Sequence, residues 1–285
     1  MAGAAWSYRV RAGGNLQGLA RKRAAMGYLA ATLADLRPPA AAPDPDPALW
    51  SMAQAAQWLI AAPRGFAGQR RCMVAALHAR LTPLGEKLGA APVARALDAM
   101  ATVPRERFVC PMIEELAYLP MAPDIGLDQV ISHPLLAAAA DPQGGRVLDI
   151  GTGSGYQAAV LAEMAAHVTS VEILDGHARE ARRRLDALGY RHVEVMRGDA
   201  GAAGRFAPES YDAIVVAAAS ASVPRAWLRA LRIGGRLAMP LRTRAGAEWI
   251  TLVERRGPAD FRRMALWRSR FVPLTGSAAA HSAGR

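Results

Sequence analysis

Arg146-Val147-Leu148-Asp149-Ile150-Gly151-Thr152-Gly153-Ser154-Gly155-Tyr156 decides how this chain is read. A short aliphatic and β-branched run ends beside an acid, and three glycines follow at alternate positions. The residues after it, Gln157 to Ala165, are alanine-rich and read as helix. Strand, glycine turn and helix in that order build a nucleotide-type pocket at the carboxyl end of a parallel strand. Glycines suit such a turn because the backbone bends sharply and a ligand must approach without a Cβ in the way.

The spacing is G-x-G-x-G, not the G-x-G-x-x-G of dinucleotide-binding folds, and Asp149 precedes the first glycine. A second acid, Glu172, ends the next apolar run, His167 to Glu172. A third, Asp199, closes the run from Val193 through Gly198. An acid at the tip of the second strand can accept hydrogen bonds from both hydroxyls of a ribose. Acids at the ends of three successive strands, with no phosphate-binding lysine, suit a nucleoside bearing a cation better than a pyrophosphate. That chemistry points to S-adenosylmethionine. The candidate cofactor residues are Asp149, Gly151, Thr152, Gly153, Ser154, Gly155, Glu172, Gly198 and Asp199. The competing reading makes Glu172 and Asp199 loop or capping acids of an unrelated α/β fold.

Length and composition bound the rest. The 285 residues, 52% of them hydrophobic, suffice for one large α/β domain with an appendage. No apolar run reaches membrane-spanning length, and Met1 to Gly18 hold no secretory-type hydrophobic segment. Arg21, Lys22 and Arg23 fit a transit segment and a start placed too far upstream equally well; the cytoplasm is the expected location. The net charge is +11, almost all from arginine, since Lys22 and Lys87 are the only lysines. It reads as a solvated basic surface; nucleic acid is not an expected partner, because no aromatic-interleaved basic strand or zinc-finger spacing accompanies it. Cys72 and Cys110 are too few for a disulfide framework or zinc site and read as reduced thiols. No metal is expected.

Along the chain, residues 1–68 read as an N-terminal extension. Helical spacing of apolar residues predicts a helix from about Asn15 to Arg37 and another from about Leu49 to Ala61, joined by a proline-rich linker at 38–47. From Gln69 the texture changes. Helices are expected over Gln69–Leu81 and Pro92–Met100, and Ala117 to Pro134 should be mostly loop before an aliphatic helix at Leu135–Ala140. Strands then alternate with helices: Gly176–Leu188 and Val223–Leu231 are helical, the latter closed by Gly234-Gly235. Asp212–Val216 and Arg236–Pro240 are strands, and Trp249–Glu254 with Phe261–Trp267 form a closing antiparallel pair. The pattern predicts a mainly parallel sheet with helices on both faces. Residues 277–285 read as a disordered tail.

Several segments, in order, carry a family resemblance: Val103-Pro104-Arg105-Glu106-Arg107-Phe108-Val109, Ala117-Tyr118, Ile125-Gly126, Gln129 to Pro134, Val147 to Gln157, and Arg270-Phe271-Val272-Pro273-Leu274-Thr275-Gly276. They resemble the signature segments of protein-L-isoaspartate (D-aspartate) O-methyltransferases, over about residues 69–276. The glycine motif is shared by very many methyltransferases; the loop ending Ile131-Ser132 and the closing Arg-Phe-Val-Pro-Leu-Thr-Gly are far more particular. The resemblance implies a Rossmann-like class I S-adenosylmethionine-dependent methyltransferase fold. It also implies methyl transfer to the α-carboxylate of L-isoaspartyl residues in damaged proteins, whose ester collapses to a succinimide that can reopen as aspartate. Ser132 matches the family's active-site hydroxyl and is the candidate catalytic residue; it also stands where it could N-cap the helix near Pro134. Gln129, Val130, Ile131, Ser132, Val272 and Leu274 are the implied substrate-binding residues, isoaspartyl proteins or peptides the implied partners, and a monomer the expected state.

The chemistry agrees with what the chain lacks. A carboxylate is ionised near neutral pH and needs no general base to attack a sulfonium methyl, and no Ser/His/Asp set or metal cluster is recognisable. The substrate loop departs from the family pattern: Val130 stands for threonine, Asp128 for glycine and Asp124 for proline, and Ala221-Ser222 replace Pro-Glu after the fourth strand. Two other readings therefore stand beside the first. One is a carboxyl methyltransferase of the same fold with another substrate; the other is a catalytically weak S-adenosylmethionine-binding module.

Overall fold

The computed structural model describes residues 65–119, 124–126, 129–130, 135–202 and 204–280. The helices expected within residues 1–64, the linker at 38–47, Asp128, Ile131, Ser132 and the end of the tail, 281–285, lie outside them.

Helix α1 (Phe66–Leu88) begins before the expected boundary at Gln69 and runs well past Leu81. The reason is one apolar stripe: Met73, Leu77, Leu81, Leu84 and Leu88 recur at three- and four-residue steps and are all buried. Phe66 packs on Tyr118, ring centroids 6.3 Å apart, so the packed domain starts ahead of Gln69. Helix α2 (Ala90–Thr102) follows, with Val93, Ala96, Leu97 and Met100 inward. Two 3-10 turns, Arg105–Phe108 and Pro111–Leu116, bury Phe108, Ile113 and Leu116 in the same cluster.

Within the segment expected to be mostly loop, strands β1 (Asp124–Gly126) and β2 (Gln129–Val130) pair antiparallel, Asp124 opposite Val130 and Gly126 opposite Gln129. Helix α3 (Leu135–Ala140) then leads to β3 (Arg146–Ile150), α4 (Tyr156–Ala162), β4 (His167–Glu172), α5 (Asp175–Ala187), β5 (Val193–Arg197) and β6 (Tyr211–Val216). After these come α6 (Arg225–Ala230), β7 (Leu231–Arg242), β8 (Glu248–Arg255), β9 (Phe261–Ser269) and the short α7 (Ser277–Ala280).

The seven-stranded sheet has the order β5-β4-β3-β6-β7-β8-β9. Strands β5, β4, β3, β6 and β7 are parallel neighbours, and β7, β8 and β9 form an antiparallel meander, the closing pair that the sequence predicts. The central strands read as continuous apolar runs because both faces are covered. Val147, Ala213, Val215 and Ala238 face the core built with α1 to α4, while Leu148, Ile150, Ile214, Val216, Leu237 and Met239 face a second core around Trp227. This is the Rossmann-like class I architecture. The chain leaves β5 and returns to pair β6 beside β3, so the order reverses between β3 and β6. Ligands of such sheets bind outside the carboxyl ends at that reversal.

Two further expectations are corrected. Gly234-Gly235 do not close a helix; β7 starts at Leu231, and the glycines fill a bulge between the Tyr211–Leu231 and Ala213–Arg236 pairs. Gly234 adopts φ 86°, a conformation that side-chain-bearing residues rarely take, and a Cβ on Gly235 would lie 2.8 Å from the Asp212 carbonyl oxygen. The tail expected from residue 277 instead opens with a helical turn, α7, whose Ala278 is buried against the second core. Among the described residues no helix is long and apolar enough to cross a membrane.

Candidate functional site

A cavity of about 240 Å³ opens at the carboxyl ends of β3, β4, β5 and β6, at the reversal of strand order. It is lined by Gly151, Thr152, Gly153 and Ser154 after β3, by Glu172 at the tip of β4, by Gly198 and Asp199 after β5, and by Val272 and Leu274 of the closing segment. The glycine loop turns because Gly155 takes φ 92° as N-cap of α4 and its N–H donates to the Thr152 carbonyl at 2.9 Å. A Cβ there would also press on Ala181 of α5, 3.3 Å away.

Glu172 is buried and accepts two backbone hydrogen bonds, from Gly153 N–H to Oε2 and from Leu174 N–H to Oε1, each 2.9 Å. One N–H per oxygen leaves acceptor capacity on both, which is what two adjacent hydroxyls require. Asp199 lies two residues beyond the end of β5 and accepts from Gly201 N–H (2.7 Å) and Ser277 N–H (2.6 Å). Burial alone would raise its pKa, but these amides and the nearby Arg205 guanidinium outweigh that and hold the carboxyl below its ordinary value.

Asp149 is placed differently from the expectation. It is fully buried and does not line the cavity; it lies beneath the loop, accepting from Gln157 Nε2 and from Ser170 Oγ, each 2.6 Å. Ser170 in turn shares a 2.6 Å hydrogen bond with Thr152 of the loop. Burial, reinforced by the Glu172 charge, pushes Asp149 up to about 6 against the pull of its two hydrogen bonds. It is a support of the loop. Gly155 likewise shapes the loop without lining the cavity.

The closing segment is tied down on both sides. Ala219 N–H donates to the Val272 carbonyl and Leu274 N–H to the Ala219 carbonyl, both at 2.8 Å, while Phe271 N–H donates to Glu248 at 2.9 Å. Residues the sequence reading did not single out also line the cavity: Gln157, Ile173, Leu174, Ala200, Gly201 and Trp227. Trp227 is fully buried and holds the Ala200 carbonyl through its indole N–H at 2.9 Å. Its signal lay in the apolar spacing of α6; Ile173 and Leu174 had one in being large apolar residues directly after the acid that ends β4, and the structure leaves them 41% and 38% exposed. Of the loop expected to bind substrate, Gln129 and Val130 lie in β2, and Ile131 and Ser132 lie outside the described residues.

The cavity wall carries two carboxylates, and among the described lining residues there is no arginine or lysine. Two acidic acceptors without a cation disfavour a pyrophosphate and fit a cationic nucleoside, with Ile173, Leu174 and Trp227 as an apolar bed for a ring. Residues 84–279 match the model of the protein-L-isoaspartate(D-aspartate) O-methyltransferase family. The chain belongs to that family. A protein-L-isoaspartate O-methyltransferase 2 from Pelobacter propionicus is 45% identical over 186 residues, 64% of this chain and 82% of that protein. A protein-L-isoaspartate O-methyltransferase from Rhodopseudomonas palustris is 45% identical over 188 residues, 64% of this chain and 86% of that protein. Two solved structures share the fold. One is a protein-L-isoaspartate O-methyltransferase (TM-score 0.56, 24% identity, covering 71% of this chain and 67% of that one). The other is a Plasmodium falciparum protein described as a putative member in complex with S-adenosyl-L-homocysteine (TM-score 0.55, 17% identity, covering 64% and 90%). The isoaspartyl methyltransferase segment thus begins inside α1 and ends inside α7. Among the described residues no group of three or more His, Cys, Asp or Glu side chains is placed to hold a metal ion.

Proposed function

We propose that this chain transfers a methyl group from S-adenosylmethionine to the α-carboxylate of L-isoaspartyl residues in damaged proteins. The observation that carries the reading is a cavity with two carboxylates and no cation among its described lining residues, set at the strand-order reversal of a chain of this family. Glu172 takes the ribose hydroxyls, and the Gly151–Ser154 loop passes close to the ligand without side-chain bulk. When bound, S-adenosylmethionine supplies an electrophilic methyl group on a positively charged sulfur.

The protein's part is alignment and exclusion of water. The residues around the cavity would hold an oxygen of the substrate carboxylate in line with that methyl group, so that the oxygen could take the methyl as its bond to sulfur breaks and the bonding pair stays on sulfur. A negative and a positive group become two neutral ones, so a dry, low-dielectric setting favours the transfer and no proton need move. Holding the reacting atoms in line raises their effective concentration and so contributes to the acceleration. Ser132 is assigned to orient the substrate carboxylate by a hydrogen bond, with Gln129, Val130, Ile131, Val272 and Leu274 around the peptide. Support comes from their match to the family's segments and from the position of Val272 and Leu274 on the cavity wall. The chain is assigned to the cytoplasm as a monomer, with residues 1–64 accessory to the methyltransferase domain.

The test is transfer of a labelled methyl group to a synthetic isoaspartyl peptide, with the matching aspartyl peptide as control. Labelling of the isoaspartyl peptide alone is expected. Cofactor binding with labelling of neither would mean that the Asp124, Asp128 and Val130 substitutions have moved the substrate elsewhere.

A further inference from the structure

Gln157 carries an unused acceptor inside the cofactor cavity. It is the second residue of α4, only 6% exposed, and lines the cavity beside the glycine loop. Its Nε2 donates to Asp149 Oδ1 at 2.6 Å. The other carboxylate oxygen takes the Ser170 hydroxyl at 2.6 Å, and Ser170 is itself bonded to Thr152. An ionised carboxylate only accepts, so Asp149 fixes the amide of Gln157 with nitrogen inward. Among the described residues the carbonyl oxygen Oε1 is then left buried with no hydrogen-bond partner. A buried acceptor without a donor costs about 1–3 kcal/mol, and its persistence calls for a donor that arrives from outside the chain.

We propose that Gln157 Oε1 accepts a hydrogen bond from the α-ammonium group of the bound cofactor. The inference rests on the reading of S-adenosylmethionine as cofactor and goes beyond it by assigning the amino-acid end. That ligand is linear: adenine, ribose, then the amino-acid tail. Its ribose belongs at Glu172, on the tip of β4. On the β5 side of Glu172 the wall sets the apolar Leu174, Ala200 and Trp227 beside the Asp199 carboxylate, which suits the adenine ring and its amino group. On the β3 side it is polar, with Thr152, Ser154 and Gln157, so the tail runs toward β3. The ammonium is the only hydrogen-bond donor in the tail, and Oε1 is a pure acceptor. The Asp149 charge lies directly behind the amide and adds attraction for a cation.

The experiment compares two ligands in calorimetric titrations of the full chain: S-adenosylhomocysteine, and 5′-methylthioadenosine, which keeps adenine, ribose and sulfur but lacks the amino-acid tail. Gln157→Met keeps the shape and removes the acceptor. The variant should lose about 10- to 100-fold in affinity for S-adenosylhomocysteine, with 5′-methylthioadenosine unchanged. Equal losses for both ligands would show that Gln157 only supports the loop, and no loss for either would leave Oε1 to a buried water; each overturns the proposal. Should Gln157→Met fail to fold, the wild-type chain decides: it should bind S-adenosylhomocysteine at least about tenfold tighter than the analogue with hydrogen in place of the α-amino group, and equal affinities overturn the assignment. A wild-type chain that binds neither S-adenosylhomocysteine nor 5′-methylthioadenosine would remove the cofactor reading itself, and this inference with it.

Discussion

The carboxylate of Asp199 accepts the backbone N–H of Ser277 at 2.6 Å, joining two points 78 residues apart in the chain. One oxygen shapes the loop after β5 through Gly201, and the other holds the first residue of α7. The closing segment therefore meets the cofactor cavity through the same side chain that helps to form it. Contact there is close: a Cβ on Gly201 would lie 2.3 Å from the Ala278 nitrogen.

Asp199→Ala removes both anchors. Two charge-assisted hydrogen bonds at a half-buried carboxylate are involved, so cofactor affinity should fall about 10- to 100-fold. Cleavage by a protease near residue 276 should accelerate in parallel. Gly201→Ala leaves Asp199 intact but crowds α7, and should reproduce the protease sensitivity. If Asp199→Ala lowers affinity while the closing segment stays resistant, the two roles of this carboxylate are separate.

Glu172→Gln and Glu172→Ala should differ. The carboxylate receives an N–H on each oxygen, whereas an amide has one oxygen to offer and would point its NH2 at Gly153 or Leu174. Glutamine should therefore lose nearly as much cofactor affinity as alanine, on the order of 2 kcal/mol. Calorimetric titration with S-adenosylhomocysteine checks this. Wild-type affinity in the glutamine variant would mean that the ribose needs only one acceptor.

How far the sequence was legible depends on where its information sits. The parallel strands were readable because burial on both faces writes them as unbroken apolar runs, as in Val147–Ile150 and Ala213–Val216. The tips of those strands, Glu172 and Asp199, were readable because an acid ending an apolar run has few structural reasons to be there. The surroundings of Asp149 were harder to read: its position in the motif matches a ligand contact, and only the hydrogen bonds from Gln157 and Ser170, eight and twenty-one residues away, show that it lies beneath the loop. Gly234 looked like a helix stop because a bulge inside a strand and a turn after a helix demand the same positive φ. The turn at α7 was invisible, since four small residues carry no periodicity and the close approach of Ala278 to Gly201 joins residues far apart in the chain.

A chain beginning at Gly65 should keep the fold and the cofactor affinity of the full protein, because the family segment starts at residue 84 and the buried stripe of α1 starts with Met73. A chain beginning at Gln69 loses Phe66 and its contact with Tyr118, and should melt lower by the equivalent of about 1 kcal/mol. Scanning calorimetry of both separates the cases. Failure of the longer chain to fold would show that residues before Gly65 pack on the core.

Asp149 should write its own pH dependence into stability. Its folded pKa of about 6 lies above the unfolded value of 3.8. Between those values the native state binds the proton more strongly than the unfolded chain does, so stability falls as pH rises through this window. The favourable contribution is complete below the unfolded pKa and is lost as pH passes the folded one; the gap corresponds to roughly 3 kcal/mol. Asp149→Asn removes the titration and keeps the shape, although the amide cannot accept from Gln157 and Ser170 on both of its atoms. The variant should be less stable than wild type in acid, and its deficit should shrink by roughly that amount as pH rises from about 4 to about 7. Urea unfolding across this range measures the difference directly. A deficit that does not change with pH would mean that the Asp149 carboxyl titrates alike in the folded and unfolded chain, and that the burial of this side chain carries no proton linkage.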